Sequence, residues 1–541
     1  MKLKGLKTRA YNVFFHTHTV AGIVISFALF VIFYAGAFSL FRHDVARWEN
    51  PNMRIETPES IDYDRAMAAL ESYYGDAFAP AELTTIRPPT EDSPFIKFYG
   101  AKYTDDSREE TERFFSYIDA NDNYKVTDAE EAKTTMSNTI YHLHYFRQIP
   151  VIGIYLSGLV AVFFLFATVT GIMIHWRNLV TKFYAFTVKG KWKQIWTNAH
   201  TVLGVIGIPF QVAYGITGAF YGLLTLLLIP SAFILFGGDT DAIVAVVRPD
   251  AALKVEADAP KVDHASLQSY HDQVTALYPE VPVSNVRMAN HGREDGYVIF
   301  NLDDERTING TGQVVYALNS GEELFHTPPS QNTYTQSVIN VISKLHFATF
   351  GGLGLRIVYF ILAMITCFMI LSGVLLWQEA RNNKRYTEKQ KRFHHRVTKV
   401  YLAICLGLFP ATALIFIANK VVPMELVGRT TIVNSVFFLG WLALIIAGLF
   451  WNNFRRLNLN YLSIGGLFSL LIPVANGVVT GDWFWSTLTN AQWYVASVDL
   501  FWLMTGVSAF LAVWMIQRSR TKSNIRVEKS QKLEKKDTAL V

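Results

Sequence analysis

Long apolar runs separated by charged or mixed segments dominate the pattern of this chain. Eight runs reach or approach the roughly 20 residues that a helix needs to cross the hydrocarbon core of a bilayer. The sequence therefore predicts a polytopic α-helical membrane protein with about eight spans. They cover approximately residues 20–41, 151–174, 202–236, 353–377, 398–418, 431–451, 459–479 and 493–516.

Composition supports this interpretation. Of the 541 residues, 51% are hydrophobic and 17% are charged, whereas soluble proteins average roughly 25% charged residues. Cys367 and Cys405 both lie inside apolar runs, so a disulfide framework, a thiolate zinc site and a Cys-x-x-Cys redox pair are excluded. The first apolar run is too long for a signal peptide and no small-residue cleavage site follows it, so we expect a retained helix.

The charged residues are distributed unevenly between the two sides of the predicted membrane. Segments 44–141 and 238–340 hold 36 of the 44 acidic residues. Basic residues gather instead near the N-terminus (Lys2, Lys4, Lys7 and Arg9), in the loops 175–199 and 378–396, and after Gln517. The positive-inside rule then places both termini in the cytoplasm and the acidic segments outside, which fits a bacterial inner membrane with its periplasm.

Both acidic segments combine a helix-like stretch with strand-like runs that end in turn residues, and so predict small α+β domains. One example is the run 114–119 before Asn121, and another is the run 297–301 before Asn309-Gly310. The predicted organisation is a first transmembrane helix (1–43), a periplasmic domain (44–141), helices two and three (142–236), a second periplasmic domain (237–345), helix four (346–377), a basic cytoplasmic loop (378–397), helices five to eight (398–516) and a basic cytoplasmic tail (517–541).

An internal repeat relates the first four spans. The run that begins at His18 recurs at His200, and in both copies a Gly-Ala-Phe run begins 18 residues later. A Leu-His pair that ends at His144 recurs at His346, and each of these histidines is followed 27 residues later by the glycine of Thr-Gly or Ser-Gly. The unit of helix, outer domain and helix is therefore used twice in one orientation, which predicts a pseudo-two-fold axis along the membrane normal.

Such an axis turns each repeated histidine into a facing pair. His18 and His200 begin outward-running helices and are expected at the cytoplasmic edge, whereas His144 and His346 begin inward-running helices and are expected at the outer edge. Two histidine pairs, one at each face, are what bis-imidazole ligation of two haem irons requires. A single histidine in such a position is more often interfacial, so the hypothesis depends on the repeat.

Glycines offer space for flat groups beside the repeated histidines, although glycine ridges more often mediate helix packing. Those considered are Gly22, Gly36, Gly204, Gly215, Gly218 and Gly222. His175 and His395 are alternative ligands for the inner haem: His175 aligns with Trp377 of the second repeat, and His395 opens the fifth span as a third helix-start histidine.

These motifs resemble the PepSY-associated transmembrane family, whose members include inner-membrane ferric-siderophore reductases and iron-uptake proteins. The resemblance covers about residues 10–380 and includes the helix starts at His18 and His200, the Leu-His pairs at 143–144 and 345–346, and the PepSY trace of a short helix followed by strands around 117–126 and 311–316. It implies two haem b groups and electron transfer toward ferric iron on the outer face. It implies little about spans five to eight.

The expected activity is that of a haem-dependent transmembrane ferric (siderophore) reductase. Electrons would pass from a cytoplasmic or quinol donor to the inner haem, then to the outer haem and then to a ferric chelate in the periplasm. Hard oxygen ligands suit Fe(III) better than Fe(II), so one electron loosens the metal and no protein acid or base is required. No dinucleotide fingerprint follows a strand, so the donor is a separate molecule. The lipid bilayer is an expected partner and nucleic acid is not.

The alternative is a siderophore or peptide transporter or binding protein without redox activity, because repeated halves are common in transporters. That function predicts broken helices with paired charges at mid-membrane. The first four spans contain almost no charge, and Arg356 near one end is the exception. A regulatory or structural role is a third possibility, and a visible spectrum of the purified protein separates these classes.

Overall fold

The computed structural model describes residues 7–90, 93–128, 135–184, 192–451 and 453–537. Among these residues, eight helices are long and apolar enough to cross a membrane, and this agrees with the number predicted from the sequence. Lys2 and Lys4 of the N-terminal basic cluster, and the last four residues of the basic tail, lie outside the described residues.

The eight candidate spans cover Thr8–Ser39, Ile152–His175, Ile208–Phe236, Gly352–Arg381, Glu388–Val421, Arg429–Phe450, Phe454–Thr480 and Trp493–Arg518. The helices, in chain order, are α1 Thr8–Ser39, α2 Arg42–Glu49, α3 Tyr63–Tyr74, α4 Thr135–His144, α5 Ile152–His175, α6 Leu179–Phe183, α7 Trp192–Ile206, α8 Ile208–Phe236, α9 Thr240–Val247, α10 Leu267–Leu277, α11 Tyr334–Phe347, α12 Gly352–Arg381, α13 Glu388–Val421, α14 Arg429–Phe450, α15 Phe454–Thr480, α16 Phe484–Thr489 and α17 Trp493–Asp537.

The prediction that the four repeated histidines begin spanning helices is wrong. His18 lies inside α1, and His200 lies on the short helix α7, which is separated from α8 by Gly207. The helix is interrupted there because Pro209, in the first turn of α8, has no N–H to donate and its ring crowds the carbonyl group four residues earlier.

The other two histidines lie at the ends of short helices that precede the inward-running spans. His144 is the last residue of α4, and His346 is the penultimate residue of α11. Between α4 and α5 the backbone adopts positive φ angles at Phe146 and Val151, and such angles interrupt a helix of L-residues. Ala348, with φ 53°, ends α11 in the same way.

The two acidic segments build one antiparallel sheet. Its strands follow the order β4-β3-β2-β1-β5-β6-β7-β8, so each segment contributes one half. The strands are β1 Thr84–Arg87, β2 Ile96–Tyr103, β3 Thr111–Asp119, β4 Lys125–Asp128, β5 Val283–Ala289, β6 Tyr297–Asp304, β7 Gly310–Ala317 and β8 Glu323–Thr327.

Pairing of β1 with β5 joins the two halves of the sheet, with Ile86 opposite Val286. Helices α3 and α10 pack on one face, and their apolar residues share a single buried cluster with both halves. Asp64 of α3 accepts hydrogen bonds from the first two N–H groups of α10, from Leu267 and Gln268. Each segment thus folds into the expected α+β arrangement, and the two are fused into one body.

Inside the membrane region, α1 occupies a central position. It packs against α5 and α12 of the repeat and also contacts α13, whose Tyr401 hydroxyl donates to the Ile23 carbonyl. Helices α13, α14, α15 and α17 form a second group beside the repeat. The repeat therefore forms a four-helix unit that is supported on one side by the remaining spans.

Candidate functional site

His18 and His200 face each other at the end of the helix bundle that lies away from the sheet. Their ring centroids are 6.0 Å apart and their planes are inclined by 64°. The two side chains come from α1 and α7, which are equivalent elements of the repeat. The pairing that the sequence repeat predicted for these residues is therefore present in the structure.

His144 and His346 form a second pair at the end of the bundle next to the sheet. Their ring centroids are also 6.0 Å apart, with an interplanar angle of 41°. Both rings are supplied by the short helices α4 and α11, which descend from the sheet toward the bundle. The structure thus brings all four predicted histidines together as two pairs.

Hydrogen bonds orient three of these imidazole rings. The Nδ1 atom of His18 lies 2.8 Å from the Ala167 carbonyl oxygen, and Nδ1 of His200 lies 3.0 Å from that of Met369. His144 makes the equivalent contact with Ile32, at 2.8 Å. A carbonyl oxygen only accepts, so Nδ1 carries the proton in each neutral ring and Nε2 keeps a free lone pair.

Each of these carbonyl groups lies four residues before a glycine, and that glycine makes the contact possible. A Cβ atom would approach the facing imidazole to 3.2 Å at Gly171, 2.9 Å at Gly373 and 2.7 Å at Gly36. In a helix the carbonyl of residue i points toward residue i+4, so a side chain there would block its second lone pair. Because these positions are glycines, Nδ1 of each histidine can reach a carbonyl oxygen that already accepts a hydrogen bond within its own helix.

His346 departs from this rule. Its Nδ1 atom lies 2.9 Å from the hydroxyl oxygen of Thr217, a buried side chain on α8. Tyr214, which lies four residues before Gly218, uses its hydroxyl group to donate to the His346 carbonyl at 3.1 Å. The pair next to the sheet is therefore asymmetric, since one ring is oriented by a carbonyl and the other by a hydroxyl group.

Burial keeps the second pair uncharged. It lowers the pKa of His144 from its ordinary value, against a smaller opposing effect of the hydrogen bond to Ile32. Burial, and to a smaller extent the neighbouring His144, with which a second positive charge would be repulsive, lowers the pKa of His346 to about 3. Neutral imidazole is the form of histidine that binds metal ions.

The donor chemistry of both pairs fits a bis-histidine haem. Metal–imidazole bonds of about 2 Å on both sides of an iron put the two ring centroids roughly 6 Å apart. Orientation of a ligating histidine through hydrogen bonding of its second nitrogen is also typical of metal sites. Among the described residues no group of three or more His, Cys, Asp or Glu is arranged to hold a metal ion. Each pair could therefore supply two imidazole ligands to one iron ion.

The two pairs lie at different depths along α1. His18 is 14 residues before Ile32, the residue that contacts the second pair, and this corresponds to roughly 20 Å along a helix. Buried aromatic rings fill the core between these levels: the centroid of Phe33 lies 5.2 Å from that of Phe164 and 6.1 Å from that of Phe210. The core between the pairs is therefore apolar and packed.

Comparison with known proteins places this arrangement in a family. A family model described as the PepSY-associated TM region matches residues 15–380, which include all four histidines and the whole sheet. The chain belongs to this family. It is also 23% identical over 403 residues to the uncharacterized protein PA4219 of Pseudomonas aeruginosa, a match that covers 70% of this chain and 95% of that protein.

Of the two alternative ligands in this PepSY-associated protein, His395 is engaged elsewhere, whereas His175 lies close enough to His200 to act on it electrostatically. His395 of α13 stacks on Phe454 at a centroid distance of 4.4 Å, so its ring is engaged outside the pairs. His175 is the last residue of α5, and its role as an alternative inner ligand stays a prediction.

The remaining predicted glycines mostly mediate helix packing. Gly222 meets the backbone of Gly158, and Cβ atoms at Gly215 and Gly218 would meet Leu165 and Ala161, so this ridge packs α8 against α5. Gly204 lies near the Met369 sulfur, and no atom is within 4 Å of a Cβ built at Gly22. Only Gly36 of the predicted set makes room for a histidine.

Sequence reasoning missed a buried polar network that links the helices beyond the family region to His144. Glu49, at the end of α2, accepts hydrogen bonds from the N–H groups of Thr135, Met136 and Ser137 at the start of α4. Asn419 of α13 donates to the same carboxylate at 2.8 Å. Glu49 therefore fixes the helix that carries His144.

Trp48 extends this network to α13 and α17. Its carbonyl oxygen accepts from Lys420, whose ammonium group lies 4.1 Å from the centre of the indole ring. The indole N–H donates to Asp499 at 2.8 Å. The signal for this network was present in the sequence, because Lys420 and Asp499 are charged residues within apolar runs.

Proposed function

We propose that this protein is a haem b oxidoreductase of the bacterial inner membrane that passes electrons across the bilayer to ferric chelates, including ferric siderophores, and so releases Fe(II) for uptake. The observation that carries the proposal is the presence of two imidazole pairs at two depths of one bundle, each with ring centroids 6.0 Å apart. A pair at each end of a bundle is the arrangement needed for a transmembrane electron path.

In the proposed function, the four histidines would ligate haem iron and backbone carbonyl groups would orient their rings. His18 and His200 would hold one haem, and His144 and His346 the other. The helix carbonyls that accept from Nδ1 fix ring orientation and raise the basicity of Nε2. Haem, when bound, supplies one-electron transfer. No side chain has to act as a general acid or base, because reduction of a ferric chelate breaks no bond within the chelating molecule.

The direction of electron flow follows from the proposed orientation. The pair of His18 and His200 lies at the cytoplasmic side, where a haem that it held would meet a cytoplasmic or quinol electron donor. His144 and His346 lie below the acidic sheet in the periplasm, where the ferric chelate is met. Loss of affinity on reduction then follows from the preference of hard oxygen ligands for Fe(III).

One structural feature favours the rival function of a transporter or binding protein. The helix is interrupted for one residue between α7 and α8, at Gly207, and interrupted helices are a feature of transporters. Against this function, Phe33, Phe164 and Phe210 fill the core at the level where a substrate would pass. Lys420 and Asp499 lie near helix ends and are engaged by Trp48.

Absorption spectra and stoichiometry of the purified protein test the proposal. The expected result is a set of low-spin b-type bands with about two haems per chain, and reoxidation of the chemically reduced protein by a ferric chelate in the presence of an Fe(II) trap. The control is the double variant His144→Ala/His346→Ala, which should keep the haem of the first pair and lose ferric reduction. A folded but colourless preparation from haem-replete cells would overturn the proposal.

A further inference from the structure

A second histidine cluster lies on the sheet domain, away from the membrane helices. The rings of His264 and His291 have centroids 4.6 Å apart and planes inclined by 67°. His264 lies in the segment before α10, His291 lies in the turn between β5 and β6, and Glu71 of α3 contacts His291. Three separate segments thus bring two imidazoles and one carboxylate together.

The hydrogen bonds of this cluster define the state of both rings. Nδ1 of His291 lies 2.8 Å from a carboxylate oxygen of Glu71, and Nδ1 of His264 lies 2.7 Å from the Ala265 carbonyl oxygen. Both partners accept, so Nδ1 carries the proton in each neutral ring and both Nε2 atoms keep a lone pair. Nε2 of His291 is buried and has no hydrogen-bond partner among the described residues.

Nε2 of His291 is a buried acceptor without a donor among the described residues. Such an acceptor is unfavourable, because it has lost its hydrogen bonds to water and gained none in the protein. A metal ion bound to this lone pair would remove that cost. The ring of His264, with its centroid 4.6 Å away, is near enough to supply a second ligand.

The turn that carries His291 is held in place by its own backbone and side-chain contacts. Asn290 and Gly292 adopt left-handed backbone angles, with φ 51° and 75°. The N–H of Asn290 donates to the Pro80 carbonyl, and its side-chain amide donates to Glu256 and Asp295 at 2.7 Å each. His291 is thus positioned by the fold, as a pre-organised ligand would be.

We propose that His264 and His291 bind a divalent transition-metal ion through Nε2, with Glu71 as the hydrogen-bond partner that orients His291. Imidazole suits Zn²⁺, Cu²⁺, Fe²⁺ and Ni²⁺, and a carboxylate behind a ligating histidine is a recurrent feature of metal sites. No third protein ligand is arranged here among the described residues, so water completes the coordination and the ion exchanges readily. The site shares no residue with the proposed haem pairs and stands independently of them.

Neighbouring charges limit the affinity of this site. Lys261 and Arg293 form a β-bridge beside it, and the Val262 N–H donates to the Gly292 carbonyl. The Arg293 guanidinium donates to the Ala259 carbonyl. Two cations nearby disfavour a third, which again points to a readily exchanged ion.

Zinc binding by the full-length protein in detergent tests the proposal. Equilibrium dialysis against Zn²⁺, followed by elemental analysis, should show one equivalent fewer in His264→Ala and in His291→Ala than in the wild type. Glu71→Gln should keep the equivalent with an affinity roughly 10–100-fold lower, as expected for loss of an outer-shell partner. His271→Ala is the matched control, because its ring packs against Tyr63 in the same domain, with centroids 4.8 Å apart.

EPR spectroscopy and gel filtration together distinguish loss of the metal site from loss of folding in the alanine variants. Cu²⁺ added to the wild type should show nitrogen coupling in its EPR spectrum, and this coupling should weaken in His291→Ala while gel filtration stays unchanged. Zinc equivalents equal to those of the wild type in both histidine variants, or copper coupling that neither variant alters, would overturn the proposal.

Discussion

The imidazole of His144 lies so close to Gly36 that a Cβ atom on this glycine would come within 2.7 Å of the ring. Gly373 and His200 stand in the same relation at 2.9 Å. Distances below 3.0 Å are not tolerated by real side chains, so even a methyl group must move the ring. Movement of the ring breaks its hydrogen bond to the helix carbonyl.

Replacement of these glycines by alanine should therefore disturb one haem at a time. We expect Gly36→Ala to reduce occupancy of the haem next to the sheet, and Gly373→Ala to reduce occupancy of the other haem. Haem content per chain and redox titration measure both effects. Gly22→Ala is the matched control, since no atom lies within 4 Å of the added carbon; equal losses in all three variants would contradict the proposed role of the glycines.

Single replacements of the paired histidines test the pairing itself. His18→Ala and His200→Ala should each remove the same haem, and the double variant should remove no more, because a bis-histidine iron needs both ligands. The same holds for His144 and His346. Loss of the first pair should prevent electrons from reaching the outer haem, and loss of the second should abolish ferric reduction while the inner haem still reduces.

Neighbouring histidines serve as controls for that experiment. His16 and His142 lie two residues from a paired histidine, and on a helix they point away from it. His16→Ala and His142→Ala should keep both haems. If His200→Ala keeps both haems and His175→Ala or His395→Ala removes one, the inner pairing is wrong although two haems remain.

The hydroxyl group of Thr217 should tune one haem only. If Nε2 of His346 binds iron, Nδ1 carries the proton and donates it to the Thr217 hydroxyl oxygen. In Thr217→Val this proton loses its acceptor, so the imidazole becomes less basic and stabilises ferric iron less. We expect the midpoint potential of the outer haem to rise by roughly 50 mV, equivalent to about 1 kcal/mol for one electron. The inner haem of the same molecule is the control; an equal shift of both potentials would contradict local tuning.

Sequence patterns predicted the spans and the histidine pairs because both depend on local properties. Hydrophobic length marks a spanning helix, and equal spacing in the two repeats marks equivalent depth. The helix interruption at Gly207 was missed because the apolar run continues through it, although Pro209 in that run was a usable signal. Assignment of His144 to the start of a span failed for another reason: a separate short helix ends at His144, and the span begins only at Ile152.

Other features were out of reach because they depend on contacts between distant segments. The pairing of Ile86 with Val286 joins strands 200 residues apart, and no local pattern specifies it. The carbonyl groups that orient the histidines belong to helix backbones and leave no mark in the sequence except the glycines at 36, 171 and 373. The role of Thr217 could not be predicted from the sequence, because it depends on the contact of this residue with His346.

The carboxylate of Glu49 should stabilise the haem next to the sheet. Glu49→Ala leaves three N–H groups of α4 and the Asn419 amide without an acceptor. Loss of buried partners of this kind costs roughly 2–4 kcal/mol. We expect earlier thermal release of the outer haem, followed by absorbance, with little change at the inner one. Replacement of the exposed Glu56 by alanine is the control and should leave the release temperature unchanged. Identical release temperatures for Glu49→Ala and the wild type would contradict the role of Glu49.

Cysteine labelling tests the proposed orientation. In a variant without Cys367 and Cys405, cysteines introduced at the exposed Ser107 and Ser320 of the sheet domain should react with an impermeant reagent from the periplasm. A cysteine at position 523 in the tail should be protected until the membrane is opened. If only the cysteine in the tail reacts in intact cells, the orientation of the protein is the opposite of the one proposed.

The strand pairing between β1 and β5 has a mechanical consequence. A transporter made of two repeats works by rocking one repeat against the other. In this protein the two repeats are joined in the sheet domain by backbone hydrogen bonds and a shared apolar core. Rocking of one repeat against the other would therefore have to break the hydrogen bonds between β1 and β5. If the protein carries electrons between two haems as proposed, a joined sheet would help to keep the distance between them constant, and the rate of electron transfer depends steeply on that distance.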